Sequence, residues 1–127
     1  MDFRLSEEQT AIRDMAAGFA AEELAPFAVE WDQSRHFPVE TLRKAGALGL
    51  RGIYVRDDLG GSGLSRLDAA LIFEALSTGC PTIAAYISIH NMCAWMVDHY
   101  GSEEQRRRWL PGKPDRDLRL PPPRTST

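Results

Sequence analysis

Cys80 and Cys93, His36, His90 and His99, and the loop Gly60-Gly61-Ser62-Gly63 are the residues of this chain whose types could carry chemistry. The cysteines lack a metal-ligand or redox spacing and sit among apolar residues, so they read as reduced, mostly buried thiols. None of the histidines has a second ligand at metal-binding spacing. His36 and His99 fall near expected helix ends and read as exposed, whereas His90 falls in an apolar run and reads as a hydrogen-bonded core residue. A phosphate-binding loop needs Gly-Lys-Ser/Thr at its end, and a dinucleotide fingerprint needs a third glycine three residues beyond Gly63. Leu64-Ser65 and Arg66 stand there instead, so the glycine loop reads as a flexible connector. No nucleophile stands beside a base, and no carboxylates pair at catalytic spacing. Glu7, Glu8, Glu103 and Glu104 read as helix-capping charges. Spacing alone therefore assigns no catalytic, cofactor-binding or metal-ligating residue.

The elements that would hold these residues read as helices, about six of them in an orthogonal or up-down all-α bundle. Ser6-Glu7-Glu8-Gln9 is a capping box, followed by Ile12, Met15, Ala16 and Phe19 at helical spacing. Pro26 is expected to open a short second helix, and Phe37-Pro38 a third that Gly46 and Gly49 stop. Ile53-Tyr54-Val55 reads as a brief strand or an extended link. Ser65 and Asp68 start a fourth helix. The fifth, from Pro81 to about Tyr100, is apolar nearly all round and is expected to be central and covered on most sides. Its Tyr86, Ser88, His90 and Asn91 need polar partners, and a small ligand or a neighbouring domain would supply them. Ser102-Glu103-Glu104-Gln105 caps a short sixth helix that ends at Trp109.

The net charge of −3 divides into −5 over residues 1–111 and +2 over residues 112–127. An acidic body argues against a nucleic-acid surface, which needs clustered basic charge. Arg106-Arg107-Arg108 is the one basic cluster, and its side chains fan around a helix as a solvated rim. No apolar run approaches a membrane span, and neither a secretory signal nor a transit peptide is visible. The expected compartment is a bacterial cytoplasm, or the mitochondrial matrix if the chain is a processed eukaryotic one.

The composition changes at Pro111. Residues 112–127 hold four prolines, no aromatic residue and only Leu118 and Leu120 as large apolar groups. Such a segment buries too little surface to offset the entropy of ordering it and is expected to be a disordered tail. Its Arg, Pro and Asp richness is what out-of-frame reading of a GC-rich coding sequence gives, so the chain reads as a truncated or frameshifted domain of residues 1–111. The alternative class is a stand-alone helical interaction module whose tail is a true linker.

Six stretches in order carry a family resemblance: Leu5-Ser6-Glu7-Glu8-Gln9, Ala47-Leu48-Gly49-Leu50, Leu59-Gly60-Gly61-Ser62-Gly63, Glu74-Ala75-Leu76-Ser77-Thr78-Gly79-Cys80, Tyr100-Gly101-Ser102-Glu103-Glu104-Gln105 and Trp109-Leu110-Pro111. Through them residues 2–111 resemble the N-terminal helical domain of acyl-CoA dehydrogenases. The segment Ala85–Met96 is most similar to members that act on a short branched acyl-CoA such as isobutyryl-CoA, in valine breakdown.

The resemblance implies a homotetrameric enzyme with a helical N-terminal domain, a middle β-domain and a C-terminal four-helix domain. FAD would lie between the last two, a glutamate would remove the α-proton of the acyl-CoA, and electrons would leave through an electron-transfer flavoprotein. The family's Leu-Thr-Glu-Pro…Gly-Ser-Asp flavin motif and its catalytic glutamate have no match here. Hence no catalytic and no FAD-binding residue is carried over, and residues 1–127 alone are expected to be inactive and to hold no FAD. In the family, the helix matching 81–99 lines the acyl end of the pocket. That implies Ser88, Ile89 and Met92 as pocket residues, with Tyr86 and Cys93 behind them, the bulk of Ile89 and Met92 shortening the cavity.

Overall fold

The computed structural model describes residues 3–111. Within them lie six α-helices and no strand: α1 (Glu7–Phe19), α2 (Ala28–Ser34), α3 (Val39–Ala47), α4 (Arg66–Ser77), α5 (Pro81–Tyr100) and α6 (Glu103–Trp109). The tail read as disordered, 112–127, lies outside the described residues.

Reciprocal caps fix where three of these helices begin. Ser6 Oγ accepts the Gln9 N–H (3.1 Å) while Gln9 Oε1 accepts the Ser6 N–H (3.0 Å). Ser65 with Asp68, and Ser102 with Gln105, do the same at α4 and α6. Each box satisfies two N–H groups that have no partner inside the helix. Pro81 occupies the first turn of α5, where its missing N–H costs nothing.

The start of α2 differs from the sequence expectation. The first helical run ends near Ala25, after widening into a π-helical turn over Ala20–Leu24 closed by the Ala25 N–H on the Ala20 carbonyl at 2.8 Å. Pro26 then falls in a turn, and α2 begins two residues later, at Ala28. The extra residue keeps both Ala20 and Leu24 fully buried. It also brings the Ala20 carbonyl so close to Gly79 that a Cβ there would lie 2.6 Å from it. Gly46 lies inside α3, and the left-handed turn that ends the helix is at Gly49 (φ 85°).

Helix α1 packs along α4, α4 along α5, and the foot of α5 against α6. Phe19, Leu24, Leu42, Leu50, Ile53, Ile72, Leu76, Ile83 and Ile87 form one continuous core. No strand forms at 53–55. Ile53 and Val55 are buried as parts of a turn-rich link that runs under α5. The expectation that α5 is covered on most sides is not met. It is the longest helix, yet Ile89 (57 %), Met92 (47 %) and Met96 (49 %) are exposed along it. Its near-uniform apolarity therefore reflects one face against the core and another, equally apolar, facing outward.

Candidate functional site

The buried side of α5 is held by two polar side chains two turns apart. Successive residues step about 100° around the axis, so Asn91 and Asp98 fall within about 20° of each other. Asn91 is fully buried (0 %). Its Nδ2 donates to the carbonyls of Leu50 (2.8 Å) and Ile87 (2.9 Å), and its Oδ1 accepts the Ile53 N–H (2.6 Å). These bonds satisfy the amide and two backbone groups of the link, as buried polar groups require. The partner of Asn91 is thus the chain's own backbone, not a ligand or a neighbouring domain.

Asp98 accepts the Arg56 N–H through Oδ2 (3.1 Å) and, through Oδ1, Arg56 Nε (3.1 Å) and Arg106 Nε (2.9 Å). Arg106 goes on to both oxygens of Asp58 (2.8 and 3.0 Å) and to Glu103 (2.9 Å). Burial pushes the Asp98 carboxyl up. The bonds from the Arg56 N–H, Arg106 and the Arg56 guanidinium outweigh that, and its pKa ends below the ordinary carboxylate range. The bond to Asp58 raises the Arg106 pKa most, desolvation opposes it, and Asp98 and Glu103 add to the rise. Arg106 is only 2 % exposed. The solvated rim expected of Arg106-Arg107-Arg108 is therefore wrong for its first member. The local signal was its place on α6: it sits one turn from Glu103, on the side that faces α5.

The glycine loop is not a flexible connector either. The N–H groups of Ser62, Gly63 and Leu64 donate to the carbonyls of Gly52 (2.8 Å), Val55 (2.9 Å) and Ile53 (2.8 Å), and Ser62 Oγ donates to the Gly49 carbonyl (2.8 Å). With those amides spent, the loop has no cradle to offer the phosphates of a dinucleotide such as FAD, and no flavin-dependent step is assigned to it. Gly60 (φ 96°) ends a 3-10 turn at Asp57–Leu59, and Gly61 lies so close to the Val55 and Arg56 carbonyls that no side chain fits.

Opposite the pinned face, α5 carries the five residues singled out from the sequence. Tyr86, Ser88, Ile89, Met92 and Cys93 fall within an arc of roughly 160°, centred about opposite Asn91 and Asp98. Ile89 and Met92 are exposed; Ser88 and Cys93 are half-buried, and half-buried Tyr86 meets Phe37 edge to face at 5.0 Å. Met96 extends the same stripe toward Tyr100. Beside it, Trp95 is half-buried between Arg66, whose guanidinium lies 4.5 Å over its ring, and His99, stacked at 4.9 Å. Cys80 is buried, and both thiols are free. His36 and His99 are exposed, as expected, and His90 is half-buried. Among the described residues no three His, Cys, Asp or Glu side chains converge as metal ligands, and no helix is long and apolar enough to cross a membrane.

Residues 6–113 match the family model described as acyl-CoA dehydrogenase, N-terminal domain. The chain is 59 % identical over 107 residues to the mitochondrial isobutyryl-CoA dehydrogenase of Bos taurus, covering 84 % of this chain and 26 % of that one. It is 53 % identical over 107 residues to the mitochondrial isobutyryl-CoA dehydrogenase of Dictyostelium discoideum, with the same coverage. The structure of butyryl-CoA dehydrogenase from Megasphaera elsdenii superposes with a TM-score of 0.79 at 29 % identity, over 87 % of this chain and 30 % of that one. The chain thus spans about a quarter of the length of the curated relatives it matches.

Proposed function

Because the chain belongs to the acyl-CoA dehydrogenase family through its N-terminal domain, we propose that residues 1–111 form one wall of the acyl pocket of an enzyme that dehydrogenates a short branched acyl-CoA, isobutyryl-CoA by preference. The enzyme uses FAD held by domains outside these residues, passes electrons to an electron-transfer flavoprotein and works as a homotetramer in a mitochondrial matrix or bacterial cytoplasm. The wall is α5: Ser88, Ile89 and Met92 meet the acyl end, with Tyr86 and Cys93 behind. The observation that carries this reading is the exposed apolar stripe of Ile89, Met92 and Met96 on a helix whose opposite face is locked to the core. Apolar surface of that kind on a water-facing helix marks a site that something else covers. The residue sizes add to it, since bulky side chains at 89 and 92 leave room for a short acyl group only.

Residues 1–127 alone enclose too little of an acyl-CoA to bind it, because pockets bury most of their ligand. They are expected to be colourless and to reduce no artificial acceptor when isobutyryl-CoA is supplied. The direct test is a full-length enzyme in which residues 1–111 replace the matching segment of the cattle relative. In that enzyme Met92→Ala should shift preference from isobutyryl-CoA toward longer acyl chains by roughly tenfold in kcat/KM, the value of about one methylene in an apolar pocket. An unchanged preference would remove α5 from the pocket and favour a helical interaction module, the second class its exposed stripe permits.

A further inference from the structure

Helix α5 has no strong hydrophobic reason to choose one rotation. Ile83, Ala84 and Ile87 point into the core, while Ile89, Met92 and Met96, equally apolar, point outward. The two sets lie roughly half a turn apart around the axis, so turning the helix by about 180° would exchange one apolar set for the other. Burial alone therefore specifies its setting weakly, as in coiled coils where apolar faces leave register open and one buried Asn closes it. What turning cannot conserve is the buried amide of Asn91. Its bond to Ile87 lies within the helix and would turn with it, but its bonds to Leu50 and Ile53 would break, leaving buried donors and acceptors without partners.

We propose that Asn91 is a positioning residue: by tying α5 to the turn at 50–53 it fixes the rotation of the helix, and thereby presents Ile89 and Met92, rather than their neighbours, to the acyl group. The proposal rests on α5 being the pocket wall. Asn91 itself touches no substrate, because it is fully buried on the side away from the stripe. Its effect is on which acyl chain is accepted, not on the chemistry. Asp98, on the same side two turns on, holds the far end of the helix to Arg56 and Arg106. It keeps α5 docked when the Asn91 bonds are removed, so the Asn91 variants lose setting before they lose fold.

Two measurements test this. In the full-length enzyme carrying residues 1–111, Asn91→Ala should reduce the kcat/KM preference for isobutyryl-CoA over hexanoyl-CoA by roughly tenfold, with kcat on the better substrate changed much less. Asn91→Ser keeps a hydroxyl that can bond the Ile87 carbonyl within the helix but reaches neither Leu50 nor Ile53, and should behave as Asn91→Ala. In the 127-residue chain, alkylation of Cys93, which sits half-buried at the edge of the stripe, should speed up severalfold in both variants at unchanged far-ultraviolet circular dichroism. If Asn91→Ala does not fold, Asn91→Ser decides alone. A loss of kcat equal on both substrates, with the preference intact, would make Asn91 merely structural and overturn the proposal. So would an unchanged Cys93 rate. If Met92→Ala leaves the preference unchanged in the same enzyme, it is the pocket reading that fails. The Cys93 rate then still reports whether Asn91 sets the helix.

Discussion

Asp98 and Trp95 show how differently two residues of one helix can be rooted. Asp98→Asn keeps the shape but removes the charge that pairs with Arg56 and Arg106. Breaking a buried pair from one side should cost about 3 kcal/mol at neutral pH. The sign with pH follows from the lowered folded pKa of Asp98. Its contribution is present above the unfolded carboxylate pKa of about 3.9 and is lost as pH falls through the lower folded value. The stability gap between wild type and Asp98→Asn should therefore be constant from pH 5 to 7, close to the plateau that carboxylate titration predicts, and should shrink in denaturant melts below about pH 4. A gap that widens in acid would be inconsistent with this pair. Trp95, which an apolar helix would place in the core, is half-buried against Arg66 and His99. Trp95→Ala should cost about 1–2 kcal/mol, against about 3–4 for Leu76→Ala in the closed core, both read from urea melts.

At the scale of elements, most boundaries were legible because their signals are local. The Ser-x-x-Gln and Ser-x-x-Asp boxes and Pro81 at the head of α5 all act within one or two turns. The π-helical turn at Ala20–Leu24 was not legible, because its partner is Gly79, far along the chain. Nor was the order in the glycine loop. Gly60, Gly61 and Gly63 announce a turn, but the carbonyls that bind Ser62, Gly63 and Leu64 belong to the link at 52–55. Residue type alone marks such a stretch as loose. Gly61→Ala tests the packed version. A methyl group would strike the Arg56 carbonyl at 2.5 Å, and the substitution should cost roughly 2–3 kcal/mol by overpacking. Gly60→Ala, in open space but at φ 96°, should cost about 1 kcal/mol by backbone strain. Equal, negligible costs would return the loop to a flexible connector.

Over the whole molecule, the family resemblance names residues for the candidate site but not the face they share. Tyr86, Ser88, Ile89, Met92 and Cys93 follow from the family resemblance, but a helix apolar on all sides does not say which side it shows. Asn91, Asp98 and Arg106 decide that, through partners in the link and α6, and charge type alone had suggested solvent for Arg106. The resulting stripe of Ile89, Met92, Met96 and Tyr100 should bind a hydrophobic dye strongly and promote self-association of residues 1–127. Ile89→Glu with Met92→Lys should weaken both without lowering the melting temperature by more than a degree or so, since exposed positions contribute within about 0.5 kcal/mol. A dye-silent, monodisperse wild type would show the stripe to be covered.

The pins also bear on time. Helices α4 and α5 are neighbours in sequence and can pair early, but the link at 50–58 finds its partners 38 to 48 residues downstream. Contacts of that span carry a loop-closure cost and close late. Bonds that form after the transition state do not hasten folding; they slow unfolding. Substitutions at Asn91, Asp98 and Arg106 should on that account raise the unfolding rate more than they lower the folding rate.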